Sequence, residues 1–122
     1  MVIRMIRTAL LVAALTLGLL PHAFAHAFLD GAVPAVGRTV ATAPQALRLH
    51  FTEGVVPHFC TVQVLDAAGH LVAATPPHAG DDARTLIVGL PKLAPGAYTV
   101  VWHATAEDTH KTEGRFHFSI AS

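Results

Sequence analysis

Residues 114–120, Gly-Arg-Phe-His-Phe-Ser-Ile, are the stretch that most clearly decides the fold of this chain. Apolar and polar side chains alternate along it, with Phe116, Phe118 and Ile120 on one side and Arg115, His117 and Ser119 on the other. Because successive side chains of a strand point to opposite faces, this alternation predicts a β-strand with one face in the core and the other in solvent.

The same kind of segment recurs upstream, between turn signals rich in Pro, Gly and Asp. Alternating or β-branched runs lie at 47–52, 60–64, 85–88 and 97–104, and 75–82 is predicted to be a loop. No long segment after residue 25 shows apolar residues at helical spacing. The pattern predicts an all-β, immunoglobulin-like Greek-key sandwich or barrel of about seven strands. Tyr98, just after Pro95-Gly96, resembles the tyrosine corner of such sandwiches.

The first 25 residues predict a cleaved secretory signal peptide. Arg4 and Arg7 supply the positive start, and the apolar stretch 9–20 is 12 residues long. That is well below the roughly 20 residues of a membrane-spanning helix. Residues 26–122 are then expected to form one exported, periplasmic domain.

Two positions for the cleavage remain open. Ala23-Phe24-Ala25 is a small-x-small signal that would leave His26 at the new N-terminus. Ala25-His26-Ala27 fits the same pattern, and cutting after Ala27 would remove that histidine. We favour cleavage after Ala25.

Composition after cleavage excludes several classes of function. Arg4 and Arg7 leave with the signal, so six Lys and Arg remain against eight Asp and Glu. This balance gives no basic surface for nucleic acid, and no basic amphipathic helix suggests membrane binding. Cys60 is the only cysteine, which rules out an internal disulfide and favours a buried, inert thiol. We expect a monomer.

The histidines point to metal chemistry, and the methionines set its limits. Met1 and Met5 lie in the signal, so no thioether Cu(I) site can form in the processed chain, which keeps eight of nine histidines. A processed His26 offers its α-amine and Nδ1 to one ion as a chelate. Asp108-Thr109-His110 adds a carboxylate and an imidazole that, in an extended segment, face the same side. Three nitrogens and one oxygen suit Cu(II).

For the other polar residues, the sequence also allows roles that do not involve a metal. Glu53, at the end of the 47–52 strand, is either an exposed turn residue or an acceptor that orients the amine or an imidazole. Asp108-Thr109-His110 taken alone is also compatible with a solvated loop. The remaining histidines are expected to face solvent or occupy turns, and not to bind the metal: His50, His58, His70, His78, His103 and His117.

Taken together, the chain resembles the CopC family of periplasmic copper-binding proteins. The resemblance rests on His26 and on five later motifs: Pro34-Ala-Val-Gly37, Leu49-His-Phe-Thr-Glu53, Leu93-Ala-Pro-Gly-Ala-Tyr98, Trp102 with Asp108-Thr-His110, and Gly114 with Phe116-His-Phe118. It implies a cupredoxin-like barrel that binds one Cu(II) through His26, Asp108 and His110, with Glu53 beside them.

The resemblance also implies a role. Such proteins are associated with copper tolerance, storage, or delivery to an inner-membrane copper transporter of the CopD type, and not with catalysis. The chain departs from the family in lacking a methionine-rich Cu(I) loop, and in having Ala106 and Glu107 before Asp108. Two alternatives remain: a copper oxidase of the polysaccharide monooxygenase type, which also uses an N-terminal histidine brace, and a metal-free immunoglobulin-like interaction module.

Overall fold

The computed structural model describes residues 26–122, so the predicted signal peptide lies outside the described residues. The described part contains eight β-strands and one short 3-10 turn, Pro57–Phe59. The strands are β1 Leu29–Val33, β2 Thr39–Val40, β3 Ala46–Phe51, β4 Thr61–Leu65, β5 His78–Ala79, β6 Thr85–Gly89, β7 Gly96–Thr105 and β8 Lys111–Ile120. No helix within 26–122 is long and apolar enough to cross a membrane.

The strands form two four-stranded sheets, in the orders β1-β3-β6-β5 and β2-β8-β7-β4. This confirms the predicted all-β sandwich, with eight strands where about seven were expected. The prediction of a loop across 75–82 was wrong at His78–Ala79, which pairs with β6 as an edge strand. A strand of two residues is too short for an alternating pattern to reveal it.

The core lies between the sheets and is built from the alternating positions. On β3 every second residue is buried, and β7 and β8 bury the same face over most of their length. Phe51 meets Trp102 edge to face, with ring centroids 5.2 Å apart. A Cβ on Gly114 would lie 2.6 Å from Trp102 Cζ2, so the indole packs directly on the glycine backbone.

Two further sequence interpretations hold in the fold. The Tyr98 hydroxyl donates a 2.6 Å hydrogen bond to the Ala94 carbonyl, which is the tyrosine corner predicted from the Pro95-Gly96 turn. Cys60 is 5% exposed, and burial raises the pKa of its thiol. Its Sγ donates to the Val56 carbonyl. The thiol is therefore a packed core group, as expected.

Three segments meet at one end of the sandwich. The β7–β8 hairpin closes at the Thr105–Lys111 pair and leaves 106–110 as its loop. The segment after β3 joins this loop through a bridge between Val55 and Ala106. Residues 26–28 run alongside the end of β3. The fold thus brings the start of the described chain, the segment after β3 and the 106–110 loop to a single place.

Candidate metal centre

The β7–β8 loop is a tight turn, and this corrects one expectation. Thr109 has φ +76°, in the left-handed region. Residues 108–110 are therefore not an extended segment, and the prediction that they are was wrong. The turn is closed by hydrogen bonds from the amides of Ala106 and Thr109 to the carbonyls of His110 and Ala106, both 2.9 Å. Asp108 and His110 meet because the chain folds back, and not because alternate side chains of a strand share a face.

Asp108 contacts His110 through both carboxylate oxygens. Oδ1 accepts the His110 amide at 3.1 Å, and Oδ2 lies 3.1 Å from His110 Nδ1. Both hydrogen bonds lower the pKa of Asp108, and the bond to the His110 side chain contributes more than the bond to its amide. When Nδ1 carries the proton and donates it to Asp108, Nε2 carries the lone pair that a metal requires. The carboxylate therefore fixes the orientation of the imidazole.

His26 is held beside His110 by two threonines. The Thr52 hydroxyl donates to the His26 carbonyl and accepts from the Phe28 amide, each at 3.0 Å. Thr112 donates from its hydroxyl to the carbonyl of Ala27, a residue only 1% exposed. Since Thr52 follows β3 and Thr112 lies in β8, the segment is tied to both sheets. The His26 and His110 ring centroids lie 4.6 Å apart, nearly perpendicular.

One ring nitrogen of His26 is left unsatisfied. Nδ1 is buried and has no hydrogen-bond partner among residues 26–122. A buried polar atom without a partner costs about 1–3 kcal/mol, so such atoms are rare without a functional reason. Nδ1 is also the atom that the sequence predicts as a copper ligand, together with the α-amine of a processed chain. The donor set at this end of the sandwich fits a borderline metal ion.

The predicted ligands are adjacent, but they do not converge. Within 26–122, no three side chains of His, Cys, Asp or Glu meet in a geometry that would hold a metal ion. The two rings contact each other, and the Asp108 carboxylate faces His110 Nδ1. A metal bound by His26, Asp108 and His110 therefore requires a local adjustment of these side chains.

Glu53 lies next to the cluster formed by His26, Asp108 and His110. With Gly54, Ala106, Glu107 and Asp108 it lines an open cavity of about 170 Å³ at the rim of the site. Its position in the same cavity as Asp108 is compatible with the orienting role considered from sequence.

The other histidines lie elsewhere. Four of them have partners remote from the cluster: His50 with Thr85, His70 with Asp66, His103 with Glu113 and His117 with Thr99. His58 and His78 are exposed. None of the six joins His26 and His110.

Sequence reasoning missed the two threonines that position His26. Thr52 is the Ser/Thr position of the Leu49-to-Glu53 motif, so a signal for it was present. Thr112 bonds the carbonyl of Ala27, which lies 85 residues earlier in the chain, so no local sequence pattern indicates this role.

Comparisons with known proteins agree on one family. A family model of the CopC domain matches residues 29–121. The chain is 38% identical over 102 residues to protein YobA of Escherichia coli K12, covering 82% of each. It is 30% identical over 103 residues to copper resistance protein C of Pseudomonas syringae pv. tomato, covering 79% of this chain and 81% of that protein.

Solved structures show the same likeness. CopC from Methylosinus trichosporium OB3b matches with a TM-score of 0.73 and 34% identity, over 79% of this chain and 94% of that one. PcoC, a methionine-rich copper resistance protein from Escherichia coli, matches with a TM-score of 0.71 and 27% identity, over 79% and 99%.

Proposed function

The chain belongs to the CopC family, and from this we propose that it is a periplasmic Cu(II)-binding protein that serves copper tolerance, storage or delivery without catalysing a reaction. A copper-related function follows from the family. The observation that carries the more specific proposal is the His26–His110 contact, with a buried Nδ1 on His26 that has no hydrogen-bond partner within residues 26–122. A copper ion would satisfy that atom and bring the two rings to a common centre.

The proposed ligands are His26, Asp108 and His110, holding one Cu(II) per chain. His26 supplies its amine and Nδ1 once residues 1–25 are removed. His110 supplies Nε2, because its Nδ1 faces Asp108 at 3.1 Å. Asp108 supplies negative charge and oxygen, and Glu53 lies beside it. Nitrogen and carboxylate donors favour Cu(II) over Cu(I).

Delivery to an inner-membrane transporter of the CopD type is the transfer that we propose. The side chains of His110 and Asp108 are 49% and 44% exposed, so an incoming ligand can reach the ion. Residues 26–122 contain no methionine, whereas PcoC of Escherichia coli is a methionine-rich protein. A Cu(I) route through thioethers is therefore not part of this proposal.

The testing experiment combines intact mass and copper EPR on protein exported and processed in a bacterial periplasm. We expect the mass of a chain that begins at His26, and one copper in a nitrogen-rich tetragonal site. A matched variant with one alanine inserted before His26 keeps every side chain but displaces the amine, and it should lose this signal. A mass beginning at Phe28, or an identical signal from the inserted variant, would contradict the proposal. Copper-dependent oxidation of chitin or cellulose well above free copper would favour the oxidase instead.

A further inference from the structure

Glu107 is seated directly over a glycine at the rim of the candidate site. Its amide donates a 3.0 Å hydrogen bond to the Gly54 carbonyl. A Cβ built on Gly54 would lie 2.7 Å from Glu107 Cδ and 2.8 Å from both carboxylate oxygens. The carboxylate thus fills space that exists only because residue 54 has no side chain.

This arrangement concentrates negative charge. Glu53, Glu107 and Asp108 line the same cavity of about 170 Å³, and they are three of the eight acidic residues in the sequence. Within 26–122, neither Glu53 nor Glu107 forms an ion pair with a basic side chain. Of the three carboxylates, only Asp108 has such a partner among the described residues, His110 Nδ1 at 3.1 Å, so Glu53 and Glu107 are the two without an ion-pair partner within 26–122.

We infer that Glu107, placed over Gly54, is an electrostatic determinant of Cu(II) capture. This rests on the proposed function. Glu107 need not touch the ion, because its carboxylate acts through the field at the mouth of the site. Coulomb energy scales with ionic charge, so a divalent ion gains twice what a monovalent ion gains at the same distance. The effect concerns chiefly the association rate, and salt screens it because the group is exposed.

The test measures Cu(II) association by stopped-flow quenching of Trp102, the single tryptophan, in the processed chain. Glu107→Gln should slow association roughly 3- to 10-fold at low salt, and the difference should fall below about 2-fold near 0.5 M salt. The copper EPR spectrum should not change, because the ligands remain. Glu113→Gln removes the same charge on the outer face of β8, beside His103, and should leave the rate within about 2-fold.

Gly54→Ala tests the packing of the Glu107 carboxylate against the Gly54 backbone. Gly54 is not in the left-handed region, so alanine suits its backbone, and the atom displaced is the flexible end of Glu107. This variant should therefore fold and slow association in the same direction as Glu107→Gln but by less, because the carboxylate is moved and keeps its charge. The double variant should be no slower than Glu107→Gln alone, because displacing a neutral amide changes no charge at the rim.

Several results would overturn the inference. These are unchanged association in Glu107→Gln, a loss that persists at high salt, or additive losses in the double variant. If the wild-type chain binds Cu(II) and one of these is found, only the role of Glu107 fails. If the wild-type chain does not retain Cu(II), the proposed function fails and this inference fails with it.

Discussion

The interior of the sandwich and the end that carries His26 follow opposite rules. Between the sheets, Phe51, Trp102 and Gly114 pack in direct contact, and the hydroxyl of Tyr98 reaches a carbonyl. At the His26 end, a buried nitrogen has no hydrogen-bond partner among residues 26–122, Thr109 adopts a left-handed backbone, and three carboxylates line one cavity. The interior is consistent with a region that sustains stability, and the end with one that keeps unsatisfied groups for a ligand. Substitutions can separate the two.

The largest expected effect on stability comes from breaking the interior. Phe51 is fully buried against Trp102, so Phe51→Ala leaves a cavity and should lower the free energy of unfolding by about 3–5 kcal/mol. Urea unfolding followed by Trp102 fluorescence measures this. A loss below about 1 kcal/mol would mean that the interior is not close-packed as described.

Breaking the other region should strongly weaken copper binding and leave the fold intact. His26→Ala removes the proposed chelating residue, so Cu(II) affinity should fall more than about 100-fold, beyond the loss typical of an outer partner. His110→Ala should also weaken binding strongly. The free energy of unfolding of the metal-free His26→Ala chain should stay within about 1 kcal/mol of wild type, because the deleted Nδ1 has no hydrogen-bond partner in the described part of the chain. Competition against a graded series of chelators gives the affinities. Retention of copper by His26→Ala would remove the proposed distinction between the two regions.

The threonine that positions His26 should have an intermediate effect. Thr52→Val keeps the shape of the side chain but deletes its bonds with the His26 carbonyl and the Phe28 amide. We expect Cu(II) affinity to fall about 10-fold, as for other residues that orient a ligand. Thr99→Val is the matched control, because Thr99 bonds His117 on the outer face of the sheet. Equal losses in the two variants would show that His26 does not depend on Thr52.

The smallest effect concerns acid stability away from the site. Hydrogen bonds from the Arg84 amide and the Thr85 hydroxyl lower the pKa of Asp82 below its ordinary 3.8. Because the pKa is lower in the folded state than in the unfolded one, the ionised carboxylate stabilises the fold at pH values above the ordinary pKa. This stabilisation is lost as the pH falls through the folded-state pKa. Asp82→Asn should therefore lower the Tm of the metal-free chain at pH 7 and change it less near pH 3. An equal difference at both pH values would contradict this assignment.

The parts of the fold that could be predicted are those with a local periodic signal. β3, β7 and β8 show period-two alternation over six to ten residues, and the structure places all three as strands. β2 and β5 have two residues each, so their pairing depends on neighbours and not on their own pattern. The assignment of His26, Asp108 and His110 as ligands stays a prediction, because the described residues hold them near one another without a converged metal geometry.

By itself, then, the sequence determined that β3, β7 and β8 become strands, which faces they bury and which residue types are available for a metal. Those properties depend on side chains a few positions apart. Tertiary structure alone decided that His26 meets His110, that Thr52 and Thr112 anchor it, and that Glu107 covers Gly54. Contacts across 24 to 85 residues leave no trace in local spacing, because they form only when two sheets pack and bring distant segments to one end.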